Sequence, residues 1–215
     1  MPESGTKSPR ERYRAQVRGE IKERAWEQIA TAGASALSLN AIAKQLGMSG
    51  PALYRYYAGR DELITELVRD AYQSLADAIR AAFDAGADVT GLAHEWRRWA
   101  LEDPHRYLLV FGTPIPGYRA PDDVTAIASR IMAVLIDAFA AHTFESPATP
   151  FDAHLDSHRQ WAADHPAPSA VLHRALTLWT RLHGILSLEV AGHFAGMGFD
   201  PALLFAAELD ALLGH

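Results

Sequence analysis

The stretch Leu39–Tyr57, LNAIAKQLGMSGPALYRYY, decides the fold. Leu39, Ile42, Ala43 and Leu46 recur at helical spacing behind Ser38, a residue type suited to a helix N-cap. Gly47 closes this short helix. Ser49 can cap a second one, with Pro51 tolerated in its first turn, and that helix is expected to run through Tyr56 or Tyr57. A helix-turn-helix needs a small residue where its helices meet, a glycine four residues later in the left-handed conformation, and a branched apolar residue that locks the second helix down. Ala43, Gly47 and Leu53 meet those needs. Gly50, Pro51, Tyr54 and Arg55 would then project outward, where side chains can reach base edges in a major groove. An ordinary helical corner would show the same spacing, so the surroundings must decide.

Working outward, Val17, Ile21, Ala25 and Ile29 form one apolar face at a four-residue step, ended by Gly33. This helix can brace the motif. Ala58 and Gly59 break the chain after it. A long amphipathic helix then starts near Arg60 with Leu63, Ile64, Leu67, Val68, Ala71, Leu75, Ile79 and Phe83. Further helices are expected over about Thr90–Leu101, Pro104–Phe111, Val124–Phe139, Ser169–Ala195 and Pro201–Leu213. Gly112–Pro121, with three prolines and two glycines, reads as an ordered loop, and His142–Pro150 as a second break. There is no β-alternation and no repeat. The expectation is all-α, with about nine helices.

Charge is distributed unevenly. Residues 1–60 hold ten Lys/Arg and five Asp/Glu, a net +5, whereas the rest carries −11 within an overall −6. A basic head on an acidic body suits a polyanionic partner. Of the 215 residues 49% are hydrophobic, which fits a folded chain, and the absence of cysteine excludes disulfides, thiolate zinc sites and thiol nucleophiles. Met1–Gly19 is polar and lacks the pattern of a signal peptide. The charge-free run Tyr107–Tyr118 is too short to span a bilayer. A cytoplasmic protein with no membrane partner is expected.

At this point the chain resembles the TetR/AcrR family of bacterial regulators. The resemblance runs from about Arg18 to Tyr72 and rests on SLNAIAKQLGMSGPALYRYYAGRDEL, residues 38–63. It implies a three-helix DNA-binding head over 1–60, with a basic tail at 1–17 and the helix-turn-helix at about 38–57. A ligand-binding and dimerising body over 61–215 would follow. Asn40 and Ala41 stand where an arginine and an acidic residue are frequent, so the reciprocal capping box is absent. Tyr56 replaces a frequent histidine. Carried over residue by residue, Asn40, Gly50, Pro51 and Tyr54 would face bases, and Arg55 a base or a phosphate. Ser38, Ser49, Tyr56 and Arg60 would hold phosphates. The arginines before Gly19 could reach the DNA backbone or lie free.

In the body, LWTRLHG (Leu178–Gly184) and FGTPIPGY (111–118) resemble the WHG type of C-terminal domain. Trp179 and His183 lie four apart on one helix face and read first as a buried tryptophan on a satisfied histidine. Gly184 permits a close helix crossing, in the core or between subunits. The family implies a homodimer through the last two helices, with Leu172, Leu176, Leu186, Val190, Leu203, Leu204, Phe205, Leu209 and Leu212 as interface candidates. Trp96, Trp99, Tyr107, Phe111, Tyr118, Phe139, Phe151 and Trp161 are candidate pocket residues. Singly each reads as core; together they suit an apolar small-molecule effector with few hydrogen bonds. The reading is therefore a regulator of a two-fold symmetric operator, most simply a repressor released by ligand. A regulator without a ligand, or an activator, is the alternative, and a metal-dependent enzyme a remote one. No enzyme signature survives: His94-Glu95 begins H-E-x-x-H, but Arg98 replaces the second histidine. Asp152, His154, Asp156 and His158 could gather on one helix face as metal ligands, but such a run reads first as a solvated face. No cofactor is called for.

Overall fold

A computed structural model describes residues 8–141, 148–162 and 165–214. Among the described residues every regular element is helical: ten α-helices and two 3-10 turns, with no strand. They form two compact units. One comprises the described residues up to Leu67 together with Pro114–Arg119; the other comprises Val68–Thr113 and the described residues from Ala120 onward.

In the first unit, α1 (Pro9–Ala32) begins eight residues before the apolar stripe does. Ser8 and Glu11 form a reciprocal capping box around Pro9, which fits the first helical turn. Residues 9–17 are therefore helix rather than tail. Val17, Ile21, Ala25 and Ile29 are its buried face. A 3-10 turn (Ala34–Ala36) leads to α2 (Leu39–Gln45), whose cap is the Ser38 hydroxyl accepting from the Ala41 N–H. No acid stands at Ala41 to return the bond. The next helix, α3, is only Gly50–Leu53, shorter than expected. Both Tyr56 and Tyr57 donate their N–H to the Leu53 carbonyl, so the chain tightens into turns instead of continuing as helix. The long helix α4 (Arg60–Asp84) follows and buries Leu63, Ile64 and Leu67 before the division between the units.

The second unit continues α4 and adds α5 (Val89–Glu102), α6 (Pro104–Phe111), α7 (Asp122–Ala140), α8 (Pro150–Asp156), α9 (Ser169–Val190) and α10 (Pro201–Leu213). Asp88, Asp103 and Asp200 cap α5, α6 and α10. The helix beyond those expected is α8, set up by a Thr149–Asp152 capping box. Central to this unit is α9, which packs against α5, α6, α7, α8 and α10. A Cβ at Gly112 would collide with the Leu108 carbonyl, so glycine is required where α6 gives way to the loop. Among the described residues no helix is long and apolar enough to cross a membrane.

Candidate nucleic-acid interface and apolar chamber

In the first unit, Ala43 and Leu53 are buried between the short helices and Gly47 has φ 64°. That geometry leaves Asn40, Ser49, Pro51, Tyr54 and Arg55 exposed, with Gly50 and Tyr56 half-buried. Tyr54 is 48% exposed, immediately after a leucine at 1%. Such an aromatic is held by its neighbour's burial while its own ring stays open to a partner. Ser49 makes no capping bond of its own. Lys44, an exposed cation on α2 that spacing alone did not single out, is a further outward group.

Two arginines brace this face. Arg18 donates from Nη1 to the Tyr56 carbonyl at 3.0 Å, pairs through Nη2 with Glu66, and stacks 4.4 Å from the Tyr57 ring centroid. The Glu66 carboxylate is itself drawn toward Lys22 at 3.4 Å. Burial opposes its charge, but the Arg18 hydrogen bond and the two cations outweigh it and hold Glu66 below the usual carboxylate range. These contacts tie α1, the end of the recognition segment and α4 together. Arg60 is the second. Its Nη2 donates to the carbonyls of Ala34 and Ser35 at 3.0 and 3.1 Å, so this guanidinium, expected only as a phosphate contact, also closes the 3-10 turn.

In the second unit a chamber of about 300 Å³ is lined by Tyr72, Trp96, Phe111, Thr125, Ala128, Ser129, Ile131, Met132, Trp161, Leu176 and Trp179. Three of the eight sequence candidates, Trp96, Phe111 and Trp161, belong to it. The others do not. Trp99 is core, its indole N–H donating to Ser74 Oγ at 3.0 Å. Tyr107 is fully buried, with its hydroxyl 3.0 Å from His183 Nδ1. Tyr118 lies in Pro114–Arg119, which packs with the first unit. Phe139 lines a separate cleft of about 190 Å³ with Asp152 and His173. Phe151 is on the surface, edge-on to His173. Sequence reading missed Tyr72, Met132 and Trp179, and placed Leu176 at the interface instead of the chamber wall.

Behind the chamber His183 is enclosed by Phe111, Trp179, Trp96 and Tyr107, with ring centroids 4.3, 5.1, 5.2 and 5.8 Å away. Burial pushes its pKa down to about 4, so the ring is neutral near pH 7. It is only half satisfied, since Nε2 has no partner. The metal reading of α8 finds no support. Asp152 is engaged by Thr149 and His173, while His154 and His158 stack on each other at 4.0 Å.

The interface expectation is corrected in part. Leu172, Leu186, Phe205 and Leu209 fill the subunit's own core, and Val190 is half-buried against it. Leu203, by contrast, is 70% exposed. Gly184 has open space around its Cβ position, so it serves no helix crossing within the subunit. It heads an exposed stripe that runs along α9 to its C-cap, Gly184–Leu188–Ala191, and α10 carries a second, Leu203–Ala207–Ala211.

A braced helix-turn-helix with an outward tyrosine and arginine, on a chain whose other unit is a helical body around an apolar chamber, defines a DNA-binding transcriptional regulator. Residues 21–67 match the family model described as bacterial regulatory proteins, tetR family, and residues 89–212 match the tetracyclin repressor-like C-terminal domain. The chain belongs to the TetR family of transcriptional regulators. It is 38% identical over 216 residues to the HTH-type transcriptional regulator Rv1816 of Mycobacterium tuberculosis, covering 93% of this chain and 92% of that one. Mb1846 of Mycobacterium bovis is similar to the same degree. The crystal structure of SCO4313 superposes with a TM-score of 0.90 at 71% identity, covering 97% of this chain and all of the other. The TetR-family regulator PfmR of Thermus thermophilus, at 16% identity and a TM-score of 0.56, covers 90% of this chain and 96% of its own, and shares the fold.

Proposed function

We propose that two copies of this chain bind a two-fold symmetric operator in the cytoplasm and act as a repressor, released when a small apolar effector fills the chamber. Asn40, Gly50, Pro51, Tyr54 and Arg55 would read bases, while Ser38, Ser49, Tyr56 and the added Lys44 would hold phosphates. The observation that carries the reading is the exposure of Tyr54 and Arg55 directly after the buried Leu53. No catalytic role is assigned to any residue.

Dimerisation is supported by the paired stripes on α9 and α10. Both combine small residues, which allow close approach, with an exposed leucine that gains from burial. Arg181 and Glu208, 3.5 Å apart, stand beside them as a polar rim. Effector binding is supported by the chamber's walls, which hold four aromatic residues besides Trp96. A ligand favouring one shape of the body would shift the population of DNA-competent dimers. Selection of bound duplex from a random pool tests the operator: an enriched inverted repeat is expected, and recovery of only asymmetric or unrelated sequences would overturn the dimeric reading.

A further inference from the structure

The first two turns of α1 bury nothing. Every residue from Ser8 to Gln16 is exposed, and burial begins at Val17. What orders this stretch is local, the capping box of Ser8 and Glu11 around Pro9. The stretch is also strongly basic. Residues 8–19 hold four arginines and one acid, Glu11, whose carboxylate is turned back onto the Ser8 N–H at 2.7 Å.

Arg10, Arg14 and Arg18 recur at a four-residue step and so share one side of the helix. It is the side that Val17 and Ile21 bury further on. Past the edge of the core, that side overhangs the recognition segment. Arg18 is the inner member, committed to the Tyr56 carbonyl, Glu66 and the Tyr57 ring. Arg14, one turn out, donates to the Arg55 carbonyl at 3.5 Å and lies 5.9 Å from the Tyr56 ring centroid. It therefore stands beside the two residues that follow Tyr54. Arg10 is a turn further out, and Arg12 falls on the opposite side of the helix.

Among the described residues no carboxylate pairs with Arg10, Arg14 or Arg55. Solvation accounts for arginines on an outer helix face. It does not account for their gathering on the inward side, where like charges one turn apart repel without compensation. A polyanion beside the recognition segment supplies the missing charge. Two guanidiniums about 6 Å apart along the helix axis are spaced for neighbouring phosphates of one strand.

We propose that the first two turns of α1 form an arm of the DNA interface, in which Arg10 and Arg14 hold backbone phosphates beside the base pairs that Tyr54 and Arg55 read. The inference rests on the reading of the helix-turn-helix as the DNA-binding element and enlarges its footprint.

The test is the salt dependence of binding by the full chain, followed by fluorescence anisotropy, on its selected operator and on a scrambled duplex of equal length. Glutamine matches arginine in helix propensity, so Arg10→Gln and Arg14→Gln should leave the melt unchanged. The double variant should make the slope of log K against log salt shallower by at least about two units. It should weaken operator and scrambled duplex by similar factors, because a phosphate contact carries no sequence information. Arg12→Gln removes the same charge from the far side of the helix and should leave the slope nearly as it is. A slope unchanged in the double variant, or lowered as far by Arg12→Gln, overturns the proposal while wild-type binding still upholds the helix-turn-helix. A loss confined to the selected operator overturns it too, by making these arginines readers of sequence. Wild type that binds neither duplex overturns the DNA-binding reading itself.

Discussion

The Tyr107 hydroxyl and His183 Nδ1 meet at 3.0 Å across 76 residues of sequence, joining α6 to α9 in the middle of an aromatic cluster. Burial keeps the histidine of this pair neutral, and that carries a stability signature. Its folded pKa of about 4 lies below its ordinary value of 6.5. Above the ordinary value both folded and unfolded states are neutral and the contribution is whole. As pH falls from there toward the folded pKa, the unfolded state takes a proton that the native state refuses. Stability should therefore drop by up to ~1.4 kcal/mol per pH unit from this group. Urea unfolding between about pH 7 and pH 5 should show a steeper loss for wild type than for His183→Gln. Equal slopes would remove His183 from the account.

Arg60 tests the division between holding the head together and holding DNA. Arg60→Ala strips two hydrogen bonds from the Ala34 and Ser35 carbonyls and should destabilise the protein by about 1 kcal/mol, allowing for its partial exposure. The salt dependence of operator binding should stay as it is. A slope shallower by about one unit with no change in melting would restore Arg60 as a phosphate contact.

Tyr54→Ala should have the opposite profile. The ring is exposed, so the melt should barely move. Affinity for the selected operator should fall by ~1–3 kcal/mol, with preference relaxed at one position of each half-site. Loss of affinity spread evenly over all sequences would make it a backbone contact instead.

Leu203→Glu places a charge on the most exposed leucine of α10. Two-fold symmetry brings the change in twice, so the dimer should weaken by at least the ~1.5–3 kcal/mol of one buried leucine. Sedimentation should shift toward monomer with helicity unchanged. A dimer of undiminished strength would move the interface off this stripe.

Gly112→Ala should cost ~1–3 kcal/mol through the collision of its Cβ with the Leu108 carbonyl, since backbone cannot step aside as a side chain can. Chemical denaturation reads the loss directly.

How much of this was legible in the sequence depends on the kind of signal. Periodic apolar spacing located α2, α4, α7 and α10 because burial on one face leaves a repeating trace. It missed the first two turns of α1, where the four-residue step continues only in Tyr13, an exposed residue, although Ser8 and Glu11 carried a capping signature of their own. The same oversight hid α8 behind Thr149 and Asp152. The shortness of α3 had no such trace, because the tightening after Leu53 is a backbone choice shared by residues that could equally continue a helix.

The site was half legible. Outward residues of the helix-turn-helix follow from three packing positions, so their exposure could be read directly. Chamber and interface could not be read in this way. Leu172, Leu186, Phe205 and Leu209 have the same composition whether they face their own subunit or another, and only the folded arrangement separates the inward leucines from Leu203. Aromatic residues likewise serve as wall and as core: Trp96 borders the chamber while Trp99, three residues on, is anchored by Ser74.

Six residues drawn from the middle of the chain, Pro114–Arg119, complete the compact unit that carries the helix-turn-helix. A polypeptide stopped after Leu67 would lack that piece, and no choice of endpoint near it supplies the missing segment. The compact unit that holds the DNA-reading portion is thus not one continuous stretch of sequence. Grafting it onto another regulator means moving two separated stretches of gene, and a swap of the first stretch alone should yield a chimaera with a misfitting patch where its own loop belonged.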